Sequence, residues 1–211
     1  MCINAEVSIS GFIVCSVTCL YLYKRNKLND RWIAITFGYI GIIQLLEYLM
    51  WIDQECSGLN QIATDLSFYF VILQPIVSLL IAYYMIKKIP WWILLILMFY
   101  IIYSVPLFYL GKQNNQCSKP CKGSDIGLSW EWANKDGYLG DIGILLAISI
   151  PFLSMKKNGL IYFSFIVGTY IISYFIAKDR CKYSPIISST GGSLWCLMAV
   201  GGPILAVFIN K

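Results

Sequence analysis

The chain has 211 residues, of which 58% are hydrophobic and 13% charged, and its formal net charge is +5. An ordinary soluble domain carries about 25% charged residues, so a water-soluble globular protein is excluded as the expected class. The lipid bilayer is the expected solvent, and it requires apolar runs of about 20 residues, because the hydrocarbon layer is roughly 30 Å thick and a helix rises about 1.5 Å per residue.

Seven such runs follow one another at 7–23, 32–52, 66–86, 91–111, 140–155, 160–177 and 190–209, the last starting between Ser188 and Ser193. They predict an all-α integral membrane protein: a seven-transmembrane helix bundle forming one domain. The fifth and sixth runs are short, so each gains a turn from its flank or the fifth is re-entrant. The first lacks a basic lead-in and ends at "KRNK" instead of a small-residue cleavage site, so it is expected to stay in the protein.

Lysine and arginine sort the connections. One side carries nine basic residues (Lys24, Arg25, Lys27, Arg31, Lys87, Lys88, Lys156, Lys157, Lys211) against the single acid Asp30. The other carries seven basic residues against nine acids, which include Glu6, Asp53, Asp65 and Asp141. The positive-inside tendency then predicts an outside N-terminus and a cytoplasmic C-terminus. Trp32, Trp51, Trp91 and Trp92 fall at span ends, where amphipathic rings meet headgroups. The net charge belongs to this pattern, so no nucleic-acid partner is expected.

Within the second span, "GIIQLLEYLMWIDQEC" places a carboxyl group in an apolar run. Gln44, Glu47 and Trp51 lie three and four residues apart, on one helical face that suits protein better than lipid. In the third span Gln74 precedes Pro75, whose missing N–H leaves a carbonyl without its helical donor. Tyr103 and Ser104 before Pro106, Asp141 at the mouth of the fifth span, and Ser173 with Tyr174 in the sixth are also read in the outer half. These predict an outward-facing polar pocket around Glu47 and Gln74, formed by Glu47, Gln44, Trp51, Gln74, Tyr103, Asp141 and Tyr174; the competing reading is that Glu47 only fastens two helices. Gly38 and Gly41 read as a packing face, and Gly201, Gly202 and Pro203 as a hinge or, more commonly, a close approach of helices.

Residues 112–139 are the one long connection. Their second half, "IGLSWEW", alternates apolar and polar residues, which suits a short strand or an aromatic lid resting on the bundle. Cysteines sort by side as well: Cys2, Cys56, Cys117, Cys121 and Cys181 lie on the outer face, while Cys15, Cys19 and Cys196 lie within spans. One or two disulfides are expected among Cys56, Cys117, Cys121 and Cys181, their pairing left open.

The chain contains no histidine, and no nucleophile-elbow, phosphate-loop or dinucleotide motif is present. No enzyme activity, cofactor or metal is expected. The arrangement resembles that of microbial rhodopsins, with a proline in the third helix, but the last span lacks the lysine that holds retinal. The sugar-transporter family of three-plus-one-plus-three helices shares the helix count, yet "QP" at Gln74 and Pro75 reverses its Pro-Gln motif and no internal repeat is evident. "QLLEYLMW", Cys56 and Asn60 in the following loop, "LQPI" and "LSWEW" together resemble a family of seven-span proteins of large DNA viruses and some protists. That family carries no established activity, so the resemblance implies a source but no mechanism, and a host-cell membrane and a viral membrane both stay open. The leading expectation is a transporter or channel for a small solute or ion. A seven-helix receptor or binding module and a structural envelope protein are the alternatives, with room for a homo-oligomer.

Overall fold

The computed structural model describes residues 4–86, 90–106, 109, 117–120, 127–130, 138–181 and 187–210, with backbone alone at 86, 138–141 and 187–189. The fold is mostly helical. Helix α1 (Ala5–Arg25) starts where the Asn4 side chain accepts a hydrogen bond from Val7 N at 2.9 Å. It ends at Asn26, whose φ of 52° and N–H bond to Leu22 O close the last turn. Asparagine tolerates that left-handed conformation better than most side chains.

α2 (Asp30–Ile52) runs back antiparallel to α1 and lies at the centre of the bundle, touching α1, α3, α7 and α8. α3 (Leu59–Ile86) begins seven residues before the predicted third span, because polar groups in its first turns are satisfied inside the protein. α3 contains Pro75, which cannot donate to Val71 O. Two hydroxyls reach the carbonyls on either side of that position: Tyr39 donates to Phe70 O at 3.2 Å and Tyr100 to Ile72 O at 2.8 Å.

α4 (Trp91–Phe99) runs into a π-helical turn, Tyr100–Ser104. Two short strands, β1 (Lys119–Pro120) and β2 (Leu128–Ser129), pair antiparallel as a hairpin. α5 (Tyr138–Ser149) ends in a 3-10 turn, Ile150–Ser154. It is followed by α6 (Gly159–Arg180), then α7 (Ile187–Ala199) and α8 (Gly201–Ile209). The break between the last two falls at Val200, where Pro203 has no N–H for Ala199 O. The glycines there serve close approach: a Cβ on Gly202 would overlap the Phe37 ring, and one on Gly201 would come 3.2 Å from Phe165.

Among the described residues, five helical stretches are long and apolar enough to cross a membrane: Ala5–Arg25, Asp30–Ile52, Leu59–Met85, Gly159–Arg180 and Thr190–Ile209. Trp91–Ser104 and Ile142–Ser154 are shorter apolar helices. The outward surface agrees with a membrane protein, since large apolar side chains such as Leu20 (62% exposed), Trp91 (72%) and Ile102 (70%) point away from the bundle. Inside, Phe37, Phe152, Tyr162 and Phe165 form an aromatic cluster with ring centroids 5.9 to 6.4 Å apart. The bundle therefore has two distinct ends: a hairpin end, where β1 and β2 lie, and a basic end, where Lys24, Lys27, Arg31, Lys156 and Lys157 lie.

Candidate functional site: an enclosed polar layer under the hairpin

Three close approaches fix how α1 lies against α2. A Cβ on Gly38 would sit 3.8 Å from Cys19 Sγ, one on Gly41 2.7 Å from Cys15 Sγ, and one on Gly11 3.4 Å from Gln44 Oε1. Positions on antiparallel helices retreat along one as they advance along the other, so the next turn toward the hairpin end sets Ser8 opposite Glu47. α7 joins the same layer, because the Gly11 Cβ would also come 2.9 Å from Leu197 Cδ1, and one turn nearer the hairpin end from Leu197 is Ser193. Ser8, Glu47 and Ser193 thus stand at one level on three helices, and all three are 0% exposed.

Gln44 Nε2 donates to Glu47 Oε2 at 2.8 Å, a bond strengthened by its low-dielectric surroundings. Trp51 continues the face one turn on. The Ser8 hydroxyl, the Trp51 indole N–H and the hydroxyl of Thr190, one turn beyond Ser193, are buried without a hydrogen-bond partner among the described residues. Polar groups left in this state cost roughly 1–3 kcal/mol each unless something pairs with them.

The hairpin closes this layer from above. Trp130, 3% exposed, lies against Gly192 of α7, where a Cβ would come 3.1 Å from the ring. Gly127, at φ +85°, lets the chain approach Thr190, where a Cβ would come 2.8 Å from its methyl group. The other foot of the hairpin stands on α3. Asn60, wholly buried, donates through Nδ2 to Met50 O and to Ser118 O, both at 2.9 Å, and accepts through Oδ1 from Ser118 N at 2.9 Å and Thr64 Oγ1 at 3.1 Å. Thr64 and Ser118 share a further hydroxyl bond of 2.9 Å. Beside them Cys56 and Cys117 form a disulfide across 6.1 Å between Cα atoms.

Asp53 secures the turn into α3. Its carboxylate accepts from Asn60 N at 2.8 Å and from Ser57 N and Oγ, both at 2.9 Å. The amide N–H of Asn60, then that of Ser57, pulls the Asp53 carboxyl down to a pKa of about 2. Seating carboxylate oxygens on the first amides of a helix is favourable for the ion and for the helix alike.

The remaining predicted site residues take other places. Tyr39–Phe70 and Met50–Asn60 contacts set the α2–α3 register, which puts Gln74 level with Thr36, eleven residues or roughly 16 Å from Glu47 along α2. Gln74 Nε2 and the Thr36 hydroxyl are both buried without a hydrogen-bond partner among the described residues, so they form a second, deeper polar point. Gln74 reads as shallow in the sequence only because α3 appears there to start at residue 66. Tyr103 stacks on Phe99 at 5.2 Å and lines a groove of about 450 Å³ between α4 and α5, bounded by Leu95, Tyr100, Ile142 and Leu146. Tyr174 is half-buried on α6, and a Cβ on Gly191 of α7 would come 3.5 Å from its Cα. Asp141 lies in the first turn of α5 with its side chain outside the described residues. Of the four candidate cysteines, Cys56 and Cys117 are paired, Cys181 is disulfide-bonded too, and Cys121 lies outside the described residues. Cys15, Cys19 and Cys196 are buried thiols.

Sequence reading missed one cluster at the basic end. Asp30 is wholly buried and takes both forks of Arg25, from Nε at 2.7 Å and a terminal nitrogen at 2.8 Å. The same guanidinium donates to Val207 O and Ala206 O at 3.0 Å, and Asn210 Nδ2 donates to Asp30 at 3.1 Å. Arg25 thus ties the end of α1 to the start of α2 and to the last carbonyls of α8. The spacing of Arg25 and Asp30 across a four-residue connection is the only trace of this in the sequence.

A family model described as a family of unknown function (DUF5765) matches residues 6–118, which takes in α1 to α4, the Glu47 face, Asn60 and the first foot of the hairpin. No curated protein and no solved structure matches the chain.

Proposed function

The chain belongs to this family of unknown function, and we propose that it is a seven-span membrane protein that passes a small solute or ion across the bilayer, with Glu47 as the charged group on the path. Five long apolar helices and two shorter ones among the described residues support seven spans, and in this reading the basic end is cytoplasmic and the hairpin end outside, as the positive-inside tendency prefers. The observation that carries the reading is the layer of Ser8, Glu47 and Ser193, fully buried on three helices at membrane depth. Apolar packing alone does not require it. A carboxyl at such depth either holds a proton or meets a positive charge, and exchanging one for the other is an elementary step of coupled transport.

Glu47 is enclosed in this conformation, so entry from outside requires the hairpin to lift from α7 or the α7–α8 pair to tilt. The test is flux in proteoliposomes. Wild-type protein moves alkali cations, protons or a small solute down a gradient, and Glu47→Gln folds equally well but loses the flux. Equal flux in both would remove Glu47 from the path.

A second reading is favoured by the rigid footing of the hairpin on Asn60 and the Cys56–Cys117 bond. A surface held this firmly suits an outward binding module. It predicts no flux from either protein, together with capture of an external ligand that disappears when residues 117–130 are altered.

A further inference from the structure

A groove of about 310 Å³ runs between α1 and α2 toward the basic end, lined by Ser16, Cys19, Leu20, Tyr23, Ala34 and Ile35. From Ser16 to Tyr23 it follows seven residues of helix, or roughly 10 Å, about the upper part of one acyl chain in a leaflet. Its mouth is cationic. The Arg31 guanidinium lies 5.1 Å from the centroid of the Tyr23 ring, so a groove-lining residue holds it in place. Lys24 and Lys27 are exposed on the adjoining turn. Asn29 Nδ2 donates to Lys157 O at 2.9 Å, which brings exposed Lys156 and Lys157 beside the same turn.

The nearby acid, Asp30, does not offset this charge toward solvent, because Arg25 engages both of its oxygens and Asn210 and Lys27 N donate to it as well. An apolar slot that fits the upper part of one acyl chain therefore opens beside five cations that form no ion pair among the described residues. The larger groove between α4 and α5 has apolar and tyrosine walls and no charged side chain, so it cannot select a headgroup.

We propose that the α1–α2 groove and the Lys24, Lys27, Arg31, Lys156 and Lys157 cluster form a binding site for an anionic phospholipid of the leaflet at the basic end. One acyl chain lies against Leu20 and Ala34 and the phosphate meets Arg31 and Lys27. The inference rests on the membrane-spanning reading and is independent of what passes Glu47. Each basic group near an anionic headgroup contributes enough to change lipid affinity about fivefold.

The test is native mass spectrometry of the full chain in detergent with equal amounts of phosphatidylglycerol and phosphatidylcholine. The site predicts one phosphatidylglycerol retained in preference to phosphatidylcholine. Lys27→Gln with Arg31→Gln should lower that preference about 25-fold, and Ala34→Phe, which fills the slot, should lower retention of the lipid without a change in charge. Both basic residues are exposed, so the double variant is expected to fold; raising the salt concentration on wild-type protein is the second measurement and should erase the preference. Equal retention of the two lipids, or an unchanged preference in the double variant, overturns the site. Full displacement by inorganic phosphate overturns it too, since that would mark a free-anion site. A chain that stays monodisperse in buffer without detergent would instead defeat the membrane reading itself.

Discussion

Replacing Asn60 by alanine is the sharpest test of how the hairpin is held. The side chain is 0% exposed and makes four hydrogen bonds, to Met50 O, Ser118 O, Ser118 N and Thr64 Oγ1. A typical bond contributes about 1 kcal/mol net, while each buried partner left unpaired costs roughly 1–3 kcal/mol. Ser118 N and Oγ can keep Thr64, at 3.2 and 2.9 Å, so not all four losses are complete. The expected cost is about 3–5 kcal/mol, at the upper end for a single substitution. For a chain of this size that corresponds to a drop in Tm of roughly 6–20 °C. The assay is thermal unfolding in detergent under non-reducing conditions, so the disulfide stays intact in both proteins. Asn60→Asp, which keeps the shape and the acceptor but loses the Nδ2 donor, should also be destabilised. A shift of less than 2 °C for Asn60→Ala would refute the view that Asn60 anchors the hairpin.

Other outcomes follow from the same geometry. Arg25→Ala strands a buried Asp30 and uncaps α8, at an expected cost of about 3 kcal/mol; Arg25→Lys should recover only part of it, because the fork to Asp30 and the two carbonyls is lost. For Asp53 the folded pKa of about 2 lies below the ordinary value of 3.8, so its contribution is fully present above about pH 4 and is lost as pH falls toward 2. Tm measured between pH 5 and 2 should therefore fall more steeply in wild-type protein than in Asp53→Asn. Cys56→Ser removes a bond that closes a separation of 61 residues, which the chain-entropy account puts at about 4 kcal/mol; peptide mapping should show Cys56 joined to Cys117 in the native protein.

The order of apolar segments was legible because hydropathy averaged over about 20 residues survives a few polar positions. The same averaging hid the start of α3. Asn60, Thr64 and Ser67 lower the apolar signal of its first turns, yet Asn60 and Thr64 are buried by pairing with each other and with Ser118. A helix start at residue 66 therefore placed Gln74 near the outside, whereas a start at Leu59 carries it to the level of Thr36. The Gln44–Glu47–Trp51 stripe was legible from spacing alone. Ser8 and Ser193, at its level on the neighbouring helices, were not, since which serines fall at that level depends on register, and register is set by Gly11, Gly38 and Gly41. Cysteine side preference was visible from topology, but the choice of Cys117 as partner of Cys56 came from the seating of Ser118 on Asn60 and Thr64 of α3.

The most direct test of an enclosed polar site reached from the hairpin end is chemical access to Ser8→Cys. In sealed proteoliposomes of known orientation, a membrane-impermeant thiol reagent would be added to one side at a time and the modification followed by mass. The account predicts slow modification from the hairpin side, faster when Gly192→Ala pushes Trp130 away, with the native buried thiols Cys15 and Cys19 unreactive. No modification from that side under either condition, or modification only from the basic side, would contradict it.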